Sequence, residues 1–174
     1  MMFRRVLIAN RGEIALRILR SLHSLGIEAV MIYGREDRIS TPVRLADESV
    51  YIPRDDPLAS YLDIEAIVAA AKDVGADAVH PGYGFLAENP TFAKRLSEEG
   101  ITFIGPSAEV LQLLGDKITA REAMSKAGLP IAMGSPGPIS NPKEASLIAE
   151  EIGFPVILKA AAGGGGIGMQ VVES

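Results

Sequence analysis

The sequence predicts an α/β fold, an open and mostly parallel sheet with helices on both faces. Three observations carry that expectation. Short apolar runs alternate with longer amphipathic segments, as in repeated β-α-β units. Glycines stand where those amphipathic segments end, at Gly26, Gly75 and Gly153. The chain is 174 residues long and 48% hydrophobic, enough for a sizeable core.

Each element has its own signal. Val6–Asn10 reads as a buried strand. Gly12–Leu25 reads as a helix: Ile14, Ala15, Ile18, Leu19, Leu22 and Leu25 share one face, while Arg17, Ser21 and Ser24 lie on the other. Gly26 closes it. Glu28–Tyr33 is the next strand, and Val50–Ile52 a short one stopped by Pro53. Asp63–Val74 is a helix stopped by Gly75. Ala78–His80 is a strand, Glu88–Glu99 mostly helix with Pro90 in its first turn, and Ile101–Ile104 a strand broken by Gly105-Pro106. A helix over Ser107–Leu114 closes this first unit. Asp116 is placed to cap a helix running to Lys126. The stretch Pro130–Pro142 holds four prolines and two glycines and reads as a loop. Lys143–Ile152 is a helix, followed by an apolar strand over Val156–Leu158 that reads as buried and delivers Lys159.

Charge and composition exclude several functions. The net charge of −5 argues against a nucleic-acid surface, which needs a basic face. It leaves room for an anion site, because a local field can oppose the global charge. Without cysteine there is no disulfide framework, zinc-thiolate site or thiol nucleophile. The apolar run Val6–Ala9 is too short for a signal peptide, and nothing approaches a membrane span. The expected location is the cytoplasm.

The most informative residues follow Lys159: three alanines, Gly163, Gly164, Gly165 and Gly166, then Ile167 and Gly168. Glycines let backbone N–H groups approach an anion, and a lysine adds a point charge. This is the chemistry of holding a polyphosphate. Gly163, Gly165 and Gly168 fit G-x-G-x-x-G, but a dinucleotide site needs a helix next. Met169–Glu173 is strand-like instead, so the context is strand, glycine loop, strand. No Gly-Lys-Ser/Thr follows, so a P-loop is also excluded. The plain alternative is a flexible hairpin tip.

This loop resembles the glycine-rich loop of the ATP-grasp ligases. Four further motifs, Ile8–Ala15 (IANRGEIA), His80–Asn89 (HPGYGFLAEN), Phe103–Pro106 (FIGP) and Gly115–Lys117 (GDK), stand in the order found in biotin carboxylase. The resemblance implies a Rossmann-like pre-ATP-grasp domain over residues 1–114. It implies the opening of an ATP-grasp domain over 115–174, truncated before its second lobe. On this view the polypeptide is an N-terminal fragment, inactive alone, of an ATP-dependent ligase that carboxylates carrier-bound biotin with bicarbonate.

The resemblance also assigns residues. Lys117, Lys159, Gly163, Gly164, Gly165, Gly166 and Gly168 would bind ATP. The family usually carries Arg or Lys where Ile167 stands, which removes a charge from the loop. His80, Gly82, Tyr83, Gly84 and Glu88 would form a cleft rim at the carboxyl end of a strand, where open α/β sheets bind ligands; the plain reading of His80 is structural. Asn10, Arg11, Gly12 and Glu13 would cap the first helix and order the same rim. Arg17 and Arg20 would lie at a homodimer contact, with Ser24 where an acidic partner often stands.

The implied cofactor is ATP with Mg2+, and biotin is the carried substrate. No catalytic or metal-binding residue is expected within these 174 residues. The implied partners are a biotin carboxyl carrier protein or domain and a carboxyltransferase component. The module is shared by acetyl-CoA, propionyl-CoA, methylcrotonyl-CoA, pyruvate and urea carboxylases. The rival readings are another ATP-grasp ligase, such as a carbamoyl-phosphate synthase-like enzyme, and a non-catalytic nucleotide-binding or assembly module.

Overall fold

The computed structural model describes residues 3–115, 117–135, 137–160 and 168–174. The chain divides into two compact units, Met1–Gln112 and Leu113–Ser174.

The first unit begins with β1 (Arg5–Ile8), α1 (Gly12–Ser24) and β2 (Glu28–Tyr33). A short 3-10 turn (Arg35–Asp37), α2 (Thr41–Leu45), β3 (Glu48–Tyr51) and a second 3-10 turn (Ala59–Tyr61) follow. Then come α3 (Ile64–Asp73), β4 (Ala78–His80), α4 (Pro90–Glu98), β5 (Thr102–Phe103) and α5 (Ala108–Gly115), whose last turn crosses into the second unit. The five strands form one parallel sheet in the order β3-β2-β1-β4-β5. The expected open parallel α/β architecture is present. The order reverses beside β1: the chain moves outward through β2 and β3, then returns to lay β4 on the other side of β1.

Two apolar layers cover the sheet, and strand periodicity sorts residues between them. Leu7, Val30, Ile32 and Val79 pack with Ile67, Val68 and Ala71 of α3 and Phe92 and Leu96 of α4. Val6, Ile8, Ala29, Met31 and Ala78 point the other way, against Ala15, Ile18, Leu19 and Leu22 of α1. Each buried Val, Leu, Ile, Met or Phe side chain among these contributes about 1.5–3 kcal/mol of transfer free energy. Caps fix the helix starts: Asp63 accepts from the Ala66 N–H and Asn89 from the Phe92 N–H.

Two local expectations need correction. Leu25 is 61% exposed, because α1 ends one residue earlier and Leu25 forms its C-cap. Asn10 and Arg11 do not cap α1 through their side chains; Arg11 occupies the N-cap position without a capping hydrogen bond. The segment between β2 and α3 also carries α2 and two 3-10 turns, all too short for a periodic pattern.

The second unit holds α6 (Lys117–Lys126), α7 (Pro142–Ile152), capped by Asn141, and an antiparallel ribbon of β6 (Val156–Lys159) and β7 (Met169–Val172). The two strands on either side of residues 161–167 are as read. The expectation that β6 is buried is not met: Ile157 is 50% and Leu158 40% exposed. A two-stranded ribbon buries neither of its faces by itself.

Candidate functional site

The carboxyl ends of the parallel strands bring four separated segments together. Immediately after β1 comes Asn10, 3% exposed. Its Oδ1 accepts the Arg11 N–H at 2.8 Å, and its Nδ2 donates to Pro81 O at 2.7 Å and Tyr83 O at 2.8 Å. One carboxamide thus spans the reversal point between β1 and β4. Ligands of open α/β sheets enter at that point; here the protein's own side chain fills it.

The turn after β4 is built around this contact. The Gly82 N–H donates to His80 Nδ1 at 3.0 Å, so the neutral imidazole keeps its proton on Nε2. Burial lowers the His80 pKa from its ordinary value, which favours that neutral form. Gly82 has φ +66°, and a Cβ there would lie 2.6 Å from Asn10 Nδ2 and 2.8 Å from Ile14 Cγ2. Tyr83 is 65% exposed, with its hydroxyl 3.4 Å from Glu13 Oε1. Gly84 and Glu88 are exposed as well. Phe85 sits at φ +43°, a left-handed conformation uncommon for a bulky residue, with its ring 5.2 Å from that of Tyr61.

Tyr61 leads to a second cluster at the same end of the sheet. Arg11 grips Asp37 with two hydrogen bonds, 2.7 Å from Nε and 2.8 Å from a terminal nitrogen. The Tyr61 hydroxyl donates to Asp37 Oδ2 at 2.7 Å and accepts the Gly34 N–H at 3.3 Å. Burial would raise the Asp37 pKa, but the Arg11 and Tyr61 hydrogen bonds and the Arg11 charge outweigh it and hold the carboxyl below its usual range. Burial, then Asp37, pushes the Tyr61 phenol up. Arg11 is therefore committed to Asp37 rather than free for a ligand. Sequence reasoning missed Asp37 and Tyr61, because both lie in the segment given no elements beyond a short strand. A polar Arg-Glu-Asp run directly after a parallel strand was the available signal.

In the second unit Lys159 closes β6, exposed, opposite Met169 of β7. Beyond this last pair the Ala160 N–H donates to Gly168 O at 2.9 Å. Gly168 has φ +73°, and a Cβ there would come within 2.9 Å of Ala160 Cβ. Gly163, Gly164, Gly165 and Gly166 lie outside the described residues. Lys117 is the first residue of α6. Arg17 and Arg20 are both exposed on α1. The hydroxyls of Ser21 and Ser24 turn back to the carbonyls of Arg17 and Ser21. Among the described residues no group of three or more His, Cys, Asp or Glu could hold a metal ion. No helix among them is long and apolar enough to cross a membrane.

Comparison with known proteins gives this geometry a family. Residues 2–111 match the family described as biotin carboxylase, N-terminal domain. Residues 116–174 match the carbamoyl-phosphate synthase L chain, ATP binding domain. A biotin carboxylase of Pseudomonas aeruginosa is 55% identical over 98% of this chain and 38% of its own length. One from Haemophilus influenzae is 53% identical over 99% of this chain and 39% of its own. The chain thus spans about two fifths of the length of these relatives.

Among solved structures, the biotin carboxylase domain dimer of Hydrogenobacter thermophilus 2-oxoglutarate carboxylase, with MgADP, ADP and bicarbonate, matches with TM-score 0.93 and 50% identity. The match covers 99% of this chain and 38% of that one. A biotin carboxylase–beta-gamma-ATP complex from Campylobacter jejuni matches with TM-score 0.93 and 47% identity, over 99% of this chain and 39% of its own. With the first match covering well over half of its residues, this chain belongs to the biotin carboxylase N-terminal domain family.

Proposed function

We propose that this chain supplies the N-terminal part of an ATP-dependent biotin carboxylase, a ligase that carboxylates carrier-bound biotin with bicarbonate. The observation that carries the reading is Lys159 at the end of β6, leading through the glycine loop into the antiparallel β7, within a chain of this family. Residues 1–114 are the pre-ATP-grasp domain and 115–174 the opening of the ATP-grasp domain.

In the reaction, ATP phosphorylates bicarbonate, and CO2 released from the resulting carboxyphosphate is captured by N1 of biotin. Lys117 and Lys159 supply positive charge to the phosphates, and Gly163–Gly166 with Gly168 supply backbone N–H groups. Phosphoryl transfer asks mostly for positioning and charge neutralisation. Magnesium, when bound with the nucleotide, would supply further positive charge to the phosphates. The described residues do not by themselves make a magnesium site. Partners follow from the reaction: a biotin carboxyl carrier and a carboxyltransferase component. A homodimer contact through Arg17 and Arg20 is the matching assembly, and the cytoplasm the matching location.

A second reading is a carbamoyl-phosphate synthase-like ligase, favoured by the match of residues 116–174. Both readings use the same lysines and loop and differ in the acceptor. The test mixes the chain with ATP, magnesium, bicarbonate and biotin, alone and with the segment of the Pseudomonas aeruginosa relative that it does not span. The chain alone should release no phosphate above background, and the supplemented protein should cleave ATP in a biotin-dependent way. Lys159→Ala should then lower that rate at least tenfold. Turnover by the chain alone, or a supplemented protein indifferent to Lys159→Ala, would contradict these roles.

A further inference from the structure

Asn10 and Ser60 are buried polar side chains, 3% and 1% exposed. Ser60 satisfies one carbonyl, that of Ile52. Asn10 does more: it uses its oxygen on Arg11 and both amide protons on Pro81 and Tyr83. The groups it joins belong to two strands' ends, 71 and 73 residues apart in sequence. The turn it holds is fixed at further points. Gly82 leaves no space for a side chain, His80 Nδ1 takes the Gly82 N–H, and Phe85 is held at φ +43° against Tyr61. Non-glycine backbone in that region stores strain that surrounding contacts must offset, and such strain gathers at functional sites. Yet Tyr83, inside this clamped turn, is 65% exposed. A turn held this firmly while offering a large side chain to solvent is shaped for contact.

Its surroundings say which half of a reaction it suits. Arg11 is neutralised by Asp37, His80 is held toward its neutral form, and Glu13 stands beside the Tyr83 hydroxyl. Nothing in that group attracts a polyphosphate.

We propose that Asn10 is a positioning residue: its carboxamide fixes the Pro81–Phe85 turn for the biotin-dependent half of the reaction and leaves nucleotide affinity to the second unit. This rests on the biotin carboxylase reading above.

The test has two arms. In the 174-residue chain, amide-exchange protection is measured at Gly82 and Ala87, whose N–H groups donate within this turn to His80 Nδ1 and Gly84 O, for Asn10→Ala and Asn10→Asp. Asn10→Ala should lower protection there at least tenfold while β1 and β2 keep theirs. In Asn10→Asp the ionised carboxylate faces two carbonyl oxygens, so the turn opens at pH 7. Protonated, the introduced group can donate to one of them, and protection should recover toward pH 5, which Asn10→Ala should not show. Unchanged protection in Asn10→Ala, or identical behaviour of the two variants at every pH, overturns the proposal.

In the supplemented protein, Asn10→Ala should raise the KM for biotin at least fivefold and leave the KM for ATP within twofold. A variant in which both constants move together overturns positioning even though the parent reading stands. A wild-type supplemented protein without biotin-dependent ATP cleavage overturns the parent reading, and the assignment to the biotin half with it.

Discussion

A methyl group at Gly82 would have to share space with the carboxamide of Asn10, and the backbone there has φ +66°. Gly75 has nearly the same backbone, φ +63°, with nothing within 4 Å of where a Cβ would stand. The pair separates two effects. Gly75→Ala should cost about 1–2 kcal/mol, the left-handed penalty of an L-residue. Gly82→Ala carries the same penalty plus overpacking, about 1–3 kcal/mol more. Urea unfolding of both variants checks this, and equal midpoints would contradict the close approach. Part of the proposed site rests on residue types alone: the order of Lys159 and the glycines is what suggests phosphate chemistry. Asn10 is expected to order the rim, but its partners could not be read, because they are backbone carbonyls, which every residue supplies whatever its side chain. Asp37 and Tyr61 were hidden for a different reason: their side-chain partnership with Arg11 joins three segments that no local pattern connects.

At the scale of elements, the β6–β7 ribbon differs from the central strands of the parallel sheet. Ile157 and Val171, directly opposed, are 50% and 60% exposed, and Leu158 and Met169 are 40% and 47% exposed. In β1, by contrast, Val6, Leu7 and Ile8 are 0% exposed. Local opening free energy follows buried apolar contact. Amide exchange in β6 and β7 should therefore be roughly a hundredfold or more faster than in β1, relative to intrinsic rates. Equal protection in the ribbon and β1 would contradict this. Strand type was legible here from the apolar run and the glycines, but burial was not: apolar residues say that a surface is to be covered, not what covers it. Between Gly34 and Leu62 only the short strand was legible, since one short helix and two 3-10 turns offer no period to detect. The long helices, each with a repeating pattern and a glycine or capping residue at one end, and the sheet strands were legible to within about two residues.

For the whole molecule, acid stability collects several of these contacts. Asp47 is lowered by the Ala29 N–H and then by His23, Asp63 by the Ala66 N–H and then by Arg54, and Asp77 by the N–H groups of Arg4 and Arg5. Asp37 is lowered despite its burial. A depressed carboxyl pKa contributes stability that is present above the unfolded value, near 4, and is lost as pH falls through the folded value. His80 is also lowered, by burial, so the unfolded chain takes up its proton first and stability declines as pH falls below about 6.5. Melting temperature should thus fall in two stages, one beginning near pH 6.5 and a steeper one below about pH 4. His80→Asn should weaken the first stage and spare the second; a stability maximum near pH 4 would contradict the assignment. The account as a whole stands on what receives the carboxyl group. The most direct measurement follows label from 14C-bicarbonate in the supplemented protein, given ATP, magnesium, a biotinylated carrier and ammonia together. The account predicts ATP-dependent label on the carrier's biotin and none in carbamoyl phosphate. Label in carbamoyl phosphate, or on the carrier without ATP, would contradict it.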